Sequence, residues 1–308
     1  MATSLCWRNI LIFIRSGTLA QNHDRGPIAM RLARCGQHCG IRVHITFFDW
    51  DAKQHILKRL GNLYTHRIIG LELSRQHSDT VIPIHEHALI LLDKSFPRLR
   101  YASVWDEWYR DEPNNQLRPI LRSCPNLEVF RELNSADFTP RTIQPHLANV
   151  TTVVLIGTCN LRLHHLIHAC PALEQLYIED HAFVEGSGHG LMPITAPCLT
   201  NLRIERAVNR AQYIPVPQRN PPLIILFSGI SLPCISSIDI AIDSTPFRLF
   251  LEKHGQLVSN LTLRGPYPSL RNALAALEPM HLPVLRTLQL KLNGPTVSSL
   301  HDRLMRAA

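Results

Sequence analysis

Apolar residues recur along this chain at intervals of three and then two residues. In CPALEQLYI, which begins at Cys170, they fall at Leu173, Leu176 and Ile178. A helix would repeat every three or four residues, and a half-buried strand would alternate from its first residue. A turn that leads into a strand explains both intervals, because strand side chains change face at every residue. The two later apolar positions are therefore predicted to face inward, and the residues beside them outward.

This pattern occurs ten times, with apolar residues three, six and eight positions after a head residue that Pro often follows. The clear copies are FPRLRYASV, CPALEQLYI, APCLTNLRI, LPCISSIDI and LPVLRTLQL. The weaker copies are QHCGIRVHI, THRIIGLEL, CPNLEVFRE, LANVTTVVL and GQLVSNLTL. Successive copies begin 23 to 36 residues apart. Most of these intervals are close to the ~20 to 29 residues of a leucine-rich repeat, which contributes one strand and a returning helix.

The predicted fold is therefore α/β: a leucine-rich-repeat solenoid, or horseshoe, with parallel strands on the concave face and helices on the convex face. The segments HALILLDKS, QLRPILRS, LRLHHLIHAC, PFRLFLEKHG and SLRNALAALEPM have helical apolar spacing. Residues 1–36 are predicted to form an N-terminal helical segment, and residues 37–308 the repeat domain. The Pro-rich stretch YIPVPQRNPPL, near residues 213–223, is interpreted as a loop between repeats, or alternatively as a domain boundary.

The composition indicates that the chain can form a hydrophobic core and carries a positive net charge. The 308 residues are 45% hydrophobic, and the net charge of +8 favours acidic partners or nucleic acid. The basic residues are scattered, with no run that marks a polyanion track. The apolar segment ILIFI, residues 10–14, is far shorter than the ~20 residues of a membrane span. Without a convincing secretory signal, we expect a cytoplasmic or nuclear protein with reduced cysteines.

The sequence contains no complete catalytic or metal-binding signature. His164 and His168 share one predicted helix face, but no third ligand is evident. Cys35 and Cys39 have no second pair at a useful distance. The stretch GSGHG, residues 186–190, lacks the rest of a phosphate loop or serine-nucleophile motif. We therefore expect no enzyme activity, no catalytic residue, no cofactor and no metal site.

Four cysteines adjoin the prolines of the repeated pattern. They are predicted to be small buried residues at the turn into each strand: Cys124, Cys170, Cys198 and Cys234. A nucleophile would not be repeated four times in this way.

A recognition surface remains as the expected functional feature, formed by the outward strand residues. Those residues are varied and mixed in charge: Gly70, Glu72, Ser74, Tyr101, Ser103, Trp105, Thr152, Val154, Ile156, Gln175, Tyr177, Glu179, Asn201, Arg203, Glu205, Ser237, Asp239, Asn260, Thr262, Arg264, Thr287, Gln289 and Lys291. Aromatic and arginine side chains often dominate binding energy. The predicted partner-binding residues are Tyr101, Trp105, Trp108, Tyr177, Arg203 and Glu205. For the tryptophans, packing beneath the acidic loop at residues 104–115 is the alternative.

The chain resembles the F-box and leucine-rich-repeat proteins that are abundant in mushroom-forming fungi. The resemblance is carried by the heads CPNLEVF, CPALEQL and APCLTNLRI, and by IAMRLARCGQHCGIRVHITF followed by THRIIGLEL. CWRNI, residues 6–10, is similar to the end of the F-box. Residues 5–10 would be only a remnant of that module.

In that family the F-box is a helical module that docks on the Skp adaptor of a cullin ubiquitin ligase, while the repeats select the substrate. The resemblance therefore implies a substrate-recognition component of a cullin-RING (SCF-type) ligase, with a protein substrate on the concave face. It implies no catalytic residue. A basic repeat scaffold that binds nucleic acid is the alternative function.

Overall fold

The computed structural model describes the turns, strands and helices of the repeated pattern. The described residues are 9–14, 40–47, 65–75, 96–105, 124–133, 145–156, 163–179, 195–205, 230–241, 247–265, 267–278 and 280–292. They fall in two compact units, the N-terminal unit and the C-terminal unit, whose boundary lies between Leu173 and Glu174. That boundary differs from the sequence-based alternative near residues 213–223, which lie outside the described residues.

The N-terminal unit contains six described strands and one helix. The strands are β1 Asn9–Ile14, β2 Ile41–Phe47, β3 Ile68–Arg75, β4 Tyr101–Trp105, β5 Val129–Leu133 and β6 Thr152–Ile156. Helix α1 spans Leu163–Ala169, and short 3-10 helices lie at Thr65–Arg67 and Pro145–Asn149. Successive strands pair in parallel and in chain order from β1 to β6.

The C-terminal unit repeats this organisation with five described strands and two helices. The strands are β7 Gln175–Glu179, β8 Asn201–Glu205, β9 Ser237–Ala241, β10 Asn260–Gly265 and β11 Thr287–Leu292. The helices are α2 Phe247–His254 and α3 Tyr267–Leu277, and a 3-10 turn follows α2 at Gly255–Leu257. All neighbouring pairs from β7 to β11 are parallel. The chain is therefore an α/β protein with parallel strands.

Each of the ten predicted pattern copies leads into a strand, β2 to β11, including the copies that match the pattern weakly. Three predicted helical segments also form helices, α1 to α3, each located in sequence between two strands. HALILLDKS and QLRPILRS lie outside the described residues. Helix α3 buries Leu270, Ala273 and Leu277, which recur at helical spacing along one face.

The N-terminal segment differs from its prediction. Residues 1–36 were expected to be helical, but Asn9–Ile14 form strand β1 and pair in parallel with β2. The helical prediction is wrong for these six residues, because a continuous apolar run such as ILIFI also suits a strand. The remainder of residues 1–36 lies outside the described part of the chain.

A four-residue turn at the head of eight copies explains why Pro recurs there. The carbonyl of the head residue accepts a hydrogen bond from the backbone N–H three residues later, as in Cys124 to Leu127 at 3.2 Å and Cys170 to Leu173 at 3.1 Å. Pro occupies the second turn position, where its fixed φ suits the turn and no N–H is needed. The first and fourth residues point into the core and anchor the start of the strand.

The turn also corrects the prediction that all four repeated cysteines are buried. Cys124 and Cys170 are head residues and are buried, but Cys198 and Cys234 occupy the third turn position and are exposed. The prediction was wrong for the latter two, because it grouped residues by their proximity to Pro and not by their position in the turn.

Within each unit, a forked hydrogen bond joins most described neighbouring copies just before the strand begins. The Thr200 carbonyl accepts from the backbone N–H groups of Ser236 and Ser237, both at 3.0 Å, and from the Ser236 hydroxyl at 3.2 Å. The Glu174 carbonyl accepts from Thr200 and Asn201 in the same manner. These bonds fix the register of neighbouring strands, so that equivalent outward residues lie side by side.

Burial along the strands follows the predicted alternation. In β8 and β9 the inward residues Leu202, Ile204, Ile238 and Ile240 are buried, while the residues between them are at least partly accessible. Removing such a side chain from water contributes roughly 1.5 to 3 kcal/mol. Strand β11 differs because its inward leucines are 43 to 65% exposed, and among the described strands it pairs only with β10.

Candidate functional site

Five outward side chains from strands β7 to β10 meet in the C-terminal unit. We call them the ion-pair network: Tyr177, Arg203, Glu205, Asp239 and Arg264. Tyr177 is opposite Arg203 in the strand register, and Arg203 is opposite Asp239. Because neighbouring strands are only ~4.7 to 4.9 Å apart, side chains on this face can reach across one or two strands.

Arg264 binds both carboxylates of the network. Its Nε donates to Asp239 Oδ1 and its Nη2 to Asp239 Oδ2, both at 2.5 Å, in a bidentate arrangement. Its Nη1 lies 2.7 Å from Glu205 Oε1, so the side chain extends from β10 past β9 to a residue of β8. The hydrogen bond with Asp239 raises the pKa of Arg264, and this effect outweighs the opposing effect of burial. Arg264 therefore stays charged.

Glu205 is the centre of the network, because both of its carboxylate oxygens are occupied. Its Oε1 accepts from Arg203 Nε at 2.8 Å and also from Arg203 Nη2. Its Oε2 accepts from the Tyr177 hydroxyl at 3.0 Å. The side chains of Glu205, Asp239 and Arg264 are only 18 to 20% exposed, so these charges are paired in a partly dehydrated environment.

Arg203 is the most accessible charged member of the network. Its side chain is 45% exposed, and its guanidinium carbon lies 4.6 Å from the centre of the Tyr177 ring. This geometry allows a cation–π interaction, which is worth ~0.5 to 1 kcal/mol at an exposed site. Within the described residues, Arg203 Nη1 has no hydrogen-bond partner. The network thus offers a free guanidinium edge beside an aromatic ring.

The composition of the network defines the chemistry available to it. Two arginines are matched by two carboxylates, so the network has no net charge of its own. Both carboxylates accept from guanidinium groups, so their oxygens are already engaged within the network. The arrangement is suited to recognising a polar group with the Arg203 edge and packing against the Tyr177 ring.

Three of the six predicted partner-binding residues belong to this network: Tyr177, Arg203 and Glu205. Tyr101 begins β4 in the N-terminal unit and is partly accessible. Trp105 ends β4, but its side chain, like the whole of Trp108, lies outside what the structure describes.

Asp239 and Arg264 were predicted to lie on the outward face but were not among the predicted binding residues. The sequence pattern could have identified them. When the copies are aligned, Asp239 on β9 lies next to Arg203 on β8 and close to Arg264 on β10. Opposite charges at aligned outward positions predict cross-strand pairs.

The N-terminal unit has a smaller set of polar contacts on its outward positions. His44 Nδ1 on β2 lies 3.3 Å from Glu72 Oε2 on β3. Among the described residues, the buried Nε of Arg131 on β5 finds no hydrogen-bond partner. These residues do not form a network comparable to that of the C-terminal unit within the described ranges.

Two predicted outward positions are buried. Gly70 is covered because the Arg42 side chain crosses it, with Cγ only 3.0 Å from the place that a Cβ would take. Ser103 is 8% exposed and lies in register between the longer Glu72 and Arg131. A small residue between larger neighbours is hidden even though it faces outward.

The described part of the chain holds no group of three or more His, Cys, Asp or Glu side chains arranged for a metal ion. His164 and His168 are both in α1, as predicted. Cys35, Cys39 and GSGHG lie outside the described residues. None of the described helices is both long and apolar enough to cross a membrane.

Comparison with known proteins finds only distant structural similarity. No family model and no curated protein matches the sequence. A solved structure, "Structure of the Toll - Spatzle complex, a molecular hub in Drosophila development and innate immunity", aligns over 97% of this chain with 13% identity and a TM-score of 0.28. The alignment spans 47% of the other chain, about half its length.

Proposed function

We propose that this protein is a leucine-rich-repeat solenoid that acts as a non-catalytic, protein-binding scaffold. In this proposal the strands line the concave face of a horseshoe and the helices lie on its convex face. Support comes from ten pattern copies that lead into strands with parallel pairing within each compact unit, and from helices α1 to α3 between strands. Stacked repeats complete one another's cores and present an extended surface for a partner.

The ion-pair network is the observation that carries the binding proposal. Tyr and Arg are enriched among residues that dominate protein interfaces. Contacts from Glu205 and Tyr177 hold the Arg203 guanidinium in place, which lowers the conformational entropy lost on binding. The free Nη1 edge suits a carboxylate or backbone carbonyl of a protein partner.

We propose further that the partner is a substrate for ubiquitination, and that the chain serves as a recognition component of a cullin-RING (SCF-type) ligase. This part rests on the resemblance of the repeat heads and CWRNI to F-box and leucine-rich-repeat proteins. Its test is native affinity purification from the source cells, followed by mass spectrometry for a Skp-type adaptor and a cullin. Recovery of a protein partner without either ligase subunit would remove the ligase role and leave the scaffold.

Nucleic-acid binding is the alternative, favoured by the net charge of +8. The ion-pair network does not support it, since each arginine there is paired with a carboxylate. Salt distinguishes the two functions: affinity for a polyphosphate falls ~10³ to 10⁵-fold between low and physiological salt when several phosphates are contacted. An affinity of the purified chain for its partner that changes little with salt would reject the alternative.

The network is tested by measuring the affinity of the purified partner for two variants, Arg203→Ala and Tyr177→Ala. We expect each to weaken binding by about 10-fold or more, the range of an interface hot spot. Arg271→Ala is the matched control, because Arg271 is an exposed arginine on helix α3 and its loss changes the net charge equally.

Circular dichroism and thermal unfolding establish that all three variants are folded. Equal affinities for the folded Arg203→Ala, Tyr177→Ala and Arg271→Ala variants would show that the partner does not use the network. The binding surface would then have to be sought elsewhere on the chain.

A further inference from the structure

The third residues of successive head turns form a row, and the side chains of two of them contact the preceding turn. In the N-terminal unit this row is visible through two asparagines. Asn126 Nδ2 donates to the Pro97 carbonyl at 2.6 Å, and Asn149 Nδ2 donates to the Pro125 carbonyl at 2.8 Å. A side chain at the third position therefore reaches the second position of the previous turn.

In the C-terminal unit, two consecutive turns carry cysteine at this third position. These are Cys198 in the turn APCL and Cys234 in the turn LPCI, and both are exposed. Their turns close with the same head-to-fourth-residue hydrogen bond, at 3.5 Å and 3.3 Å. Because the two turns are equivalent, the thiols project from equivalent backbone positions.

Hydrogen bonds hold the two turns in register on both sides of the cysteines. Before them, Thr195 pairs with Ser231 in a parallel bridge, and Ala196 N–H donates to the Ser231 carbonyl at 2.9 Å. After them, Ser236 N–H donates to the Thr200 carbonyl at 3.0 Å. On both sides of the cysteines, paired residues are separated by the same number of positions in the sequence, and this number also separates Cys198 from Cys234. Cys234 therefore lies directly beside Cys198.

This register sets the separation of the two backbones. Neighbouring parallel strands lie ~4.7 to 4.9 Å apart, and a disulfide requires a Cα–Cα distance of ~4.4 to 6.8 Å. The separation expected from the register lies within that range. Cys124 and Cys170 have no such arrangement, because they are buried heads of turns that are not consecutive.

We propose that Cys198 and Cys234 form a dithiol modification site that a hydroperoxide oxidises to a disulfide. One thiolate sulfur attacks a peroxide oxygen and becomes a sulfenic acid, and with hydrogen peroxide the second oxygen leaves as water. The other thiolate then attacks the sulfenic sulfur, so that the S–S bond forms and a second water leaves. In total, two thiols and one peroxide give one disulfide and two waters.

The disulfide ties the turn before β8 to the turn before β9. It closes the longest interval between pattern copies, 36 residues, and would thereby restrict the unfolded chain. We expect the thermal midpoint of the C-terminal unit to rise by roughly 5 °C on oxidation. The site does not depend on the proposed protein-binding function, since it needs no partner.

The test uses the full chain, reduced and then treated with hydrogen peroxide under native conditions. Remaining thiols are blocked with N-ethylmaleimide, and a non-reducing digest is mapped by mass spectrometry. We expect a peptide linked through Cys198 and Cys234 in the monomer fraction, and loss of this link in Cys198→Ser and Cys234→Ser. Cys124→Ser is the control that should retain it.

A second probe reports on the geometry of the reduced site. Phenylarsine oxide binds two adjacent thiols together, so either single turn variant should lose at least about 10-fold in affinity. Either of two results would overturn the proposal: separate sulfinic or sulfonic acids at the two positions without a link, or disulfides only between molecules. Because both cysteines are exposed, Cys198→Ala and Cys234→Ala provide folded alternatives if a serine variant is unstable.

Discussion

Cys170 and Cys198 occupy the first and third positions of equivalent turns, and these positions have opposite environments. Cys170 is only 1% exposed, whereas Cys198 is exposed. Burial raises the pKa of Cys170 to about 12, because the interior disfavours the charged thiolate. An unfolded chain would ionise this thiol near pH ~8.5. The contribution of Cys170 to stability is therefore present below that pH and is lost as the pH rises towards the folded pKa.

We predict that the free energy of unfolding falls more steeply above about pH 9 in the wild type than in Cys170→Ala, by up to roughly 1.4 kcal/mol per pH unit. Urea unfolding at several alkaline pH values measures this difference. The comparison removes the effects of tyrosine and lysine titration, which both proteins share. Equal slopes for the wild type and Cys170→Ala would contradict the assignment.

The pairing of Arg264 with Asp239 predicts strong energetic coupling within the ion-pair network. Both side chains are about four-fifths buried and share two hydrogen bonds. Removing Asp239 leaves Arg264 with only its Glu205 contact, and removing Arg264 leaves Asp239 with only Arg203 Nε, 3.7 Å away, whereas removing both leaves neither charge underpaired. A double-mutant cycle with Arg264→Ala and Asp239→Ala, measured by urea unfolding, should give a coupling energy of about 1 to 3 kcal/mol.

Arg100 and Glu128 provide the comparison for that cycle. They are an ion pair between neighbouring copies, but their atoms are 3.7 Å apart and their side chains are 67% and 50% exposed. Their coupling should be ~0 to 1 kcal/mol, since water screens exposed charges. Similar coupling in the two pairs would mean that burial does not strengthen the network.

Among the strands, β8 and β11 present the same inward position in different surroundings. Leu202 and Leu288 are equivalent through the register of β8, β9, β10 and β11, yet Leu202 is 2% exposed and Leu288 is 43% exposed. We predict that Leu202→Ala lowers the free energy of unfolding by about 2 to 5 kcal/mol. Leu288→Ala should cost less than about 1.5 kcal/mol, because it removes less buried surface and leaves no closed cavity.

Urea denaturation of both variants measures these costs, and Leu261→Ala on β10 adds a second buried control at the same register position. A loss at Leu288 as large as that at Leu202 would mean that β11 is covered in solution.

The strands were largely predictable from sequence, but β1 and the binding network were not. The three-then-two spacing is local, so even GQLVSNLTL is recognisable as a turn and a strand. ILIFI offers no alternation and no head turn, and only its pairing with β2 identifies it as a strand. Tyr177, Arg203 and Glu205 were selected individually, whereas their assembly with Arg264 depends on register between strands that are far apart in sequence.

For the molecule as a whole, the repeated pattern carries more information than the composition. The net charge of +8 suggests an anionic partner, yet the best-defined polar site is internally neutral. The two compact units share one turn–strand design, although one has the ion-pair network and the other has a single described His–Glu contact on its outward residues, His44 with Glu72. Function therefore has to be sought in what each copy adds to the common design.

The forked hydrogen bonds have a consequence for how such a chain changes through evolution. They involve only the residue before the strand and the first strand residue, so they do not depend on whether successive copies begin 23 or 36 residues apart. Duplication or deletion of one whole copy would leave the neighbouring junctions with the same donors and acceptors. Gene recombination between copies can therefore exchange outward side chains in blocks while it conserves the junction chemistry.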